Sequence, residues 1–289
     1  MFERVENSWA LVKASAAVLR SDKELLVFPI VSAVALLIVS AAFFLPLESM
    51  GFFDRLQDPR AAEIAVVFAF YLVQYFVMIS ANSALVGAAL IRLRGGDPTL
   101  GDGFGIAKSH LAPILGYAAI AATVGMILKF LSSAGESEGR GKPLALIGAL
   151  VSSLVGMAWS LATFLAVPVL VAEDVGPLEA IKRSSSLLKK TWGEQVVGGL
   201  SIGLFFGLLA LAAVILGIAA IVFVADTSPA ASIAIVVLLV IALLAMGLIS
   251  STLGGIYSAA VYNYAVGGST GEFFREDLIK NAFRPRGRI

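Results

Sequence analysis

Six long apolar runs alternate with short polar stretches along the chain. They extend from Leu25 to Leu47, Ile64 to Ile91, Leu111 to Leu131, Pro143 to Ala172, Gln195 to Ala225 and Ala230 to Val266. Each contains at least the roughly 18 uncharged residues that mark a membrane-spanning helix. The pattern predicts an all-α, polytopic transmembrane bundle of six spans. Pro29 lies in the first turn or two of span one, where proline is tolerated, and Pro168 predicts a kink in span four. Lys129 stands near the end of span three, where a lysine reaches back to the headgroups. The sixth run has 37 residues, about 55 Å if wholly helical. It either tilts and projects beyond the membrane or breaks at Gly254-Gly255.

Three of the intervening stretches have a helical stripe of their own. Phe2, Val5, Trp9, Val12, Ala16 and Leu19 recur at steps of three and four. In residues 177–192, Leu178, Ile181, Leu188 and Trp192 do the same, with Ser185 filling the gap. Such spacing places apolar side chains on one helical face. Lys182, Arg183, Lys189 and Lys190 lie on a neighbouring face, and Pro177 suits a first helical turn. Residues 98–110 form a weaker copy, because Gly101, Gly103 and Gly105 each cost about 1 kcal/mol against alanine in a helix. All three read as amphipathic helices lying on a membrane surface.

Each of these segments precedes an odd-numbered span, and a pair of spans follows it. The chain therefore reads as one integral membrane domain, residues 1–289. Within it are three tandem units of surface helix plus hairpin, at 1–96, 97–175 and 176–268, and a tail at 269–289. Duplication and convergence on the same arrangement account for this pattern equally well. Sixteen of the 21 lysines and arginines fall on the side that holds both termini and the 2–3 and 4–5 connections. Cytoplasmic loops keep positive charge, so both termini are expected in the cytoplasm and the protein in the cell membrane. The amphipathic helices then meet anionic lipid on the cytoplasmic face.

Composition agrees with this reading: 59% of residues are hydrophobic and 14% charged. Soluble domains have about 45–50% apolar and about 25% charged residues. No cysteine is present, which removes disulfides and thiolate chemistry, and a single histidine, His110, argues against a histidine-built metal site. The net charge of +1 gives no overall pull toward nucleic acid. No short apolar segment ends in a small-residue cleavage site near the N-terminus, so no cleaved leader is expected.

Gly199-Leu200-Ser201-Ile202-Gly203 matches the G-x-S-x-G serine-hydrolase pattern. That elbow needs a strand before it and a histidine after it. Here it lies inside an apolar run, and His110 is upstream. Packing is the better reading: Gly199, Gly203 and Gly207 form a small-residue ladder for a helix contact within the bundle or between protomers. Gln74 and Asn82 on span two, with Tyr257, Tyr262 and Asn263 on span six, are the main polar groups near membrane depth. They should face the bundle interior, as a hydrogen-bond network or as a ligand site. No ionisable residue sits mid-span, which counts against proton-driven transport. No phosphate-binding glycine loop is present. No catalytic residue, metal or cofactor is expected.

The stretch NSWALVKASAAVLRSDKELLVFPIVSA, residues 7–33, resembles an uncharacterised family of prokaryotic six-span membrane proteins. FFREDLIKNAFRPR, residues 273–286, is similar to the end of that family. The layout more distantly resembles the membrane domain of some glycerophosphodiester phosphodiesterases, without their catalytic domain. The resemblance implies an integral membrane protein and carries over no catalytic residue. The first expected function is a membrane scaffold or lipid-interacting protein that engages anionic headgroups or a cytoplasmic partner, as a monomer or a homo-oligomer. The alternative is a passive or lipid-translocating permease with a polar cavity between spans two and six.

Overall fold

The computed structural model describes residues 2–56, 60–133, 142–192, 201–224, 228–267 and 271–280. The chain order is α1 (Phe2–Ser21), a 3-10 turn (Lys23–Leu26), α2 (Val27–Ser49), α3 (Phe52–Arg55), α4 (Ala61–Leu93), α5 (Leu100–Ser109), α6 (Leu111–Ser133), α7 (Lys142–Thr163), α8 (Ala166–Ala172), α9 (Pro177–Trp192), α10 (Ser201–Val224), α11 (Pro229–Gly267) and α12 (Glu276–Lys280). There is no strand among the described residues. Six segments are long and apolar enough to cross a membrane: the 3-10 turn with α2, then α4, α6, α7 with α8, α10 and α11.

Span four breaks rather than bends. Proline has no N–H to give and its ring meets the carbonyl four residues earlier, here Phe164. Accordingly α7 stops at Thr163 and α8 begins at Ala166. The Leu165 N–H freed at the break donates to the Ser184 hydroxyl of α9 at 3.0 Å. Span six resolves the other way. It is one unbroken helix of 39 residues, about 58 Å long. Gly254-Gly255 does not break it. Gly255 lets span two in close: a Cβ there would stand 2.5 Å from Leu85 and 3.3 Å from the Asn82 side-chain oxygen.

The core sits at one end. Every residue from Ser83 to Leu90 of α4 is buried, as are Gly255 to Tyr262 of α11 and Ala166 to Leu170 of α8. Leu11, Val12, Ala14 and Val18 of α1 join them, with Leu25, Phe28 and Ile114. Consecutive spans run in opposite directions. The late halves of even spans and the early halves of odd spans therefore meet at the same end. There α1, α5, α9 and α12 complete a cap. The far halves fan apart, leaving Leu37 at 70% and Phe223 at 86% exposure. Apolar surface on that scale marks a face solvated by lipid. At about 50 Å, the 33-residue α4 is longer than the roughly 30 Å hydrocarbon core. It therefore has length to spare for both the cap and the membrane.

Candidate functional site at the basic end

The cap gathers most of the basic residues, and its geometry separates the tied cations from the free ones. On α9, Ala180, Ser184, Leu187 and Leu188 are buried. Leu178, expected on the apolar face, is 63% exposed. The face is turned because α9 lies tightly against α8 through small residues, and small residues set close approach between helices. The Trp192 side chain lies outside the described residues. Arg183 donates to both Glu173 carboxylate oxygens, at 3.0 and 3.2 Å. The Tyr262 hydroxyl donates to the same carboxylate at 3.2 Å. Lys182, Lys189 and Lys190 are exposed and make no ion pair among the described residues.

The other side of the cap is an ionic seam. Arg92 at the end of span two donates from Nε to Asp22 at 3.1 Å and also pairs with Asp97. Glu24 accepts the Leu100 N–H at 3.2 Å, seating the start of α5 on the entry to span one. Thr99 caps α5: its hydroxyl accepts the Asp102 N–H at 3.2 Å. The Asp102 carboxylate in turn accepts the Thr99 N–H at 2.9 Å and the Thr99 hydroxyl at 2.7 Å. These hydrogen bonds hold the Asp102 carboxyl below the usual carboxylate range, the backbone one most strongly. His110 Nε2 stands 3.5 Å from Asp174. Sequence reasoning did not single out Asp22, Glu24, Arg92 or Glu173. The available signal was their position, as charged residues directly beside the ends of apolar runs.

The five polar residues expected in a common intramembrane site have separate partners. Gln74 donates to the Ser40 hydroxyl at 2.8 Å, joining spans one and two. The Asn82 oxygen lies over Gly255. The Tyr257 ring packs edge-on against Phe164, and its hydroxyl has no hydrogen-bond partner among the described residues. Tyr262 reaches Glu173 across the cap, and Asn263 accepts from Arg94 Nε at 3.4 Å. Span six meets span two at Gly255, so the Asn82 side chain lies at a close helix contact. The hydrogen bond from Gln74 has the interhelical character that membrane bundles use.

The glycine ladder is described only in part. Gly199 lies outside the described residues, as does the Ser201 side chain. Gly203 and Gly207 are exposed, and nothing lies within 4 Å of a Cβ placed on either. Among the described residues they make no close contact within the bundle, and their exposure leaves them available for the alternative contact, between protomers. The glycine that span five does use is Gly217, packed against Leu239 of span six.

Six apolar spans under an ion-paired cap define a multi-pass helical membrane protein. The chain belongs to DUF6159, a family of unknown function, whose sequence profile matches residues 61–273. That description agrees with the resemblance to an uncharacterised family and names no phosphodiesterase. Neither the curated proteins nor the solved structures contain a match to the chain.

Proposed function

We propose that the protein is a non-catalytic membrane scaffold whose cap engages anionic lipid headgroups on the cytoplasmic face, with both termini cytoplasmic. One observation supports this reading above the others: Lys182, Lys189 and Lys190 are exposed and unpaired among the described residues, while neighbouring Arg183 is held by Glu173. Among the described residues no carboxylate holds any of the three. These three are left for a charge outside the chain. An anionic surface attracts each such residue by about 1 kcal/mol, within a Debye length. Arg183 also holds Glu173, which is only 23% exposed, so its loss would disturb the cap as well as any headgroup contact.

The test replaces Lys182, Lys189 and Lys190 together with alanine and leaves Arg183 in place. Protein purified from membranes of mixed phosphatidylglycerol and phosphatidylcholine is analysed for retained lipid. The variant is expected to lose most of its preference for phosphatidylglycerol, and raising salt should have the same effect on the unaltered protein. Equal preference in variant and unaltered protein rules out these lysines as headgroup contacts.

A further inference from the structure

Below the cap, where α5 crosses the outside of α2 and α4, the surface opens into a groove of about 440 Å³. That lies within the roughly 300–1,000 Å³ of small-molecule sites. Val31 of α2, Phe76 and Val77 of α4, and Phe104 of α5 supply apolar walls. Its polar lining residues are Ser32, Ser80 and Lys108. Lys108 stands at the rim, exposed, with no ion pair among the described residues. Ser80 lines the wall, and its hydroxyl is buried with no hydrogen-bond partner among the described residues. A buried hydroxyl without a partner carries a desolvation cost that a ligand oxygen removes.

The surroundings identify the occupant. Ile30, Val31 and Val34 are exposed on the groove's flank, so it opens onto hydrocarbon. Lys108 lies three residues before Leu111, the first residue of span three, and therefore at the headgroup boundary. An apolar trough continuous with the bilayer, with a free cation at its water-facing end, matches the two halves of one phospholipid.

We propose that this groove binds a single anionic phospholipid. One acyl chain lies against Phe76, Val77 and Phe104, the phosphate pairs with Lys108, and the Ser80 hydroxyl, turned out of its buried position, donates to an ester oxygen. This differs from the diffuse attraction assigned to α9: it is one saturable site, on another helix, with a shape.

Native mass spectrometry of the full chain in detergent, titrated with palmitoyl-oleoyl phosphatidylglycerol and separately with the phosphatidylcholine of the same chains, tests it. The unaltered protein is expected to hold one phosphatidylglycerol ahead of all others. Lys108→Glu should weaken that first lipid about tenfold, since it reverses a charge at the surface, and Lys108→Arg should keep it. Ala81→Trp, which fills the groove, should abolish tight binding of either lipid. The triple-lysine variant of α9 should retain the site, so the two proposals fail separately. First-lipid affinities in Lys108→Glu equal to those of the unaltered protein overturn the proposal. So does equal affinity for the two headgroups. If Ala81→Trp lowers the melting temperature, Lys108→Glu, at an exposed position, decides the matter.

Discussion

Gly103→Val is expected to destabilise the bundle by about 3 kcal/mol, the upper part of the overpacking range. A Cβ at Gly103 would collide with the Phe28 ring, coming 2.8 Å from its Cε1, and would stand 2.9 Å from the Ala84 carbonyl oxygen. Neither neighbour can move. Phe28 is fully buried, and Ala84 is backbone in the middle of the cap. The nearby Gly105 is the built-in control. Nothing lies within 4 Å of its Cβ position. Gly105→Ala should therefore stabilise α5 by about 1 kcal/mol, the helix-propensity gain alone. Reversible unfolding in mixed detergent micelles reads both changes. Two glycines one turn-half apart on one helix should shift the midpoint in opposite directions. A shift in the same direction for both means that α5 does not seat on Phe28 as described.

Arg92→Ala is expected to cost about 2–3 kcal/mol, somewhat below the figure for breaking a fully buried pair. Its partner Asp22 has a side chain only 6% exposed, while Arg92 itself is 20% exposed. Removing the guanidinium leaves a carboxylate out of water with no cation. The loss should therefore be largely recovered in the Asp22→Asn, Arg92→Ala double variant, where no charge is stranded. The same unfolding assay measures it. Additive losses in the double variant would show that the two side chains act independently.

How far the sequence reaches depends on which interaction shapes each feature. The six spans are legible because hydrocarbon demands long uncharged runs and nothing else in the chain imitates them. The break in span four is legible at Pro168, since a missing N–H is a local fact. The face of α9 is only half legible. Hydrophobicity selects Leu178, but packing selects Ala180 and Ser184, because close helix approach rewards small side chains over large ones. Glycine spacing on span five is likewise half legible, because it does not say whether a helix of the bundle or a second protomer meets it. A ladder shows where contact is allowed, and only the neighbouring helix decides whether it occurs. The groove is not legible at all. Its walls come from residues 31, 76 and 104, brought together by the crossing of three helices.

The resemblance at residues 7–33 acquires a physical meaning here. Within that stretch Asp22 ties to Arg92, Glu24 seats the start of α5, and Phe28 fills the space left by Gly103. Lys13 stands 5.2 Å over the Trp9 ring, which itself packs on Phe205 of span five. These residues dock span one onto the rest of the cap.

The free lysines of α9 are expected to stand at the level of the headgroups. The chain contains no cysteine, so a Lys189→Cys variant carries one nitroxide label and no other. Electron paramagnetic resonance in phosphatidylglycerol-containing vesicles, relaxed by oxygen from the lipid side and by a nickel chelate from the water side, gives its depth. A label at the level of the lipid phosphates is the expected result. A label in bulk water, relaxed by nickel alone, contradicts the headgroup contact.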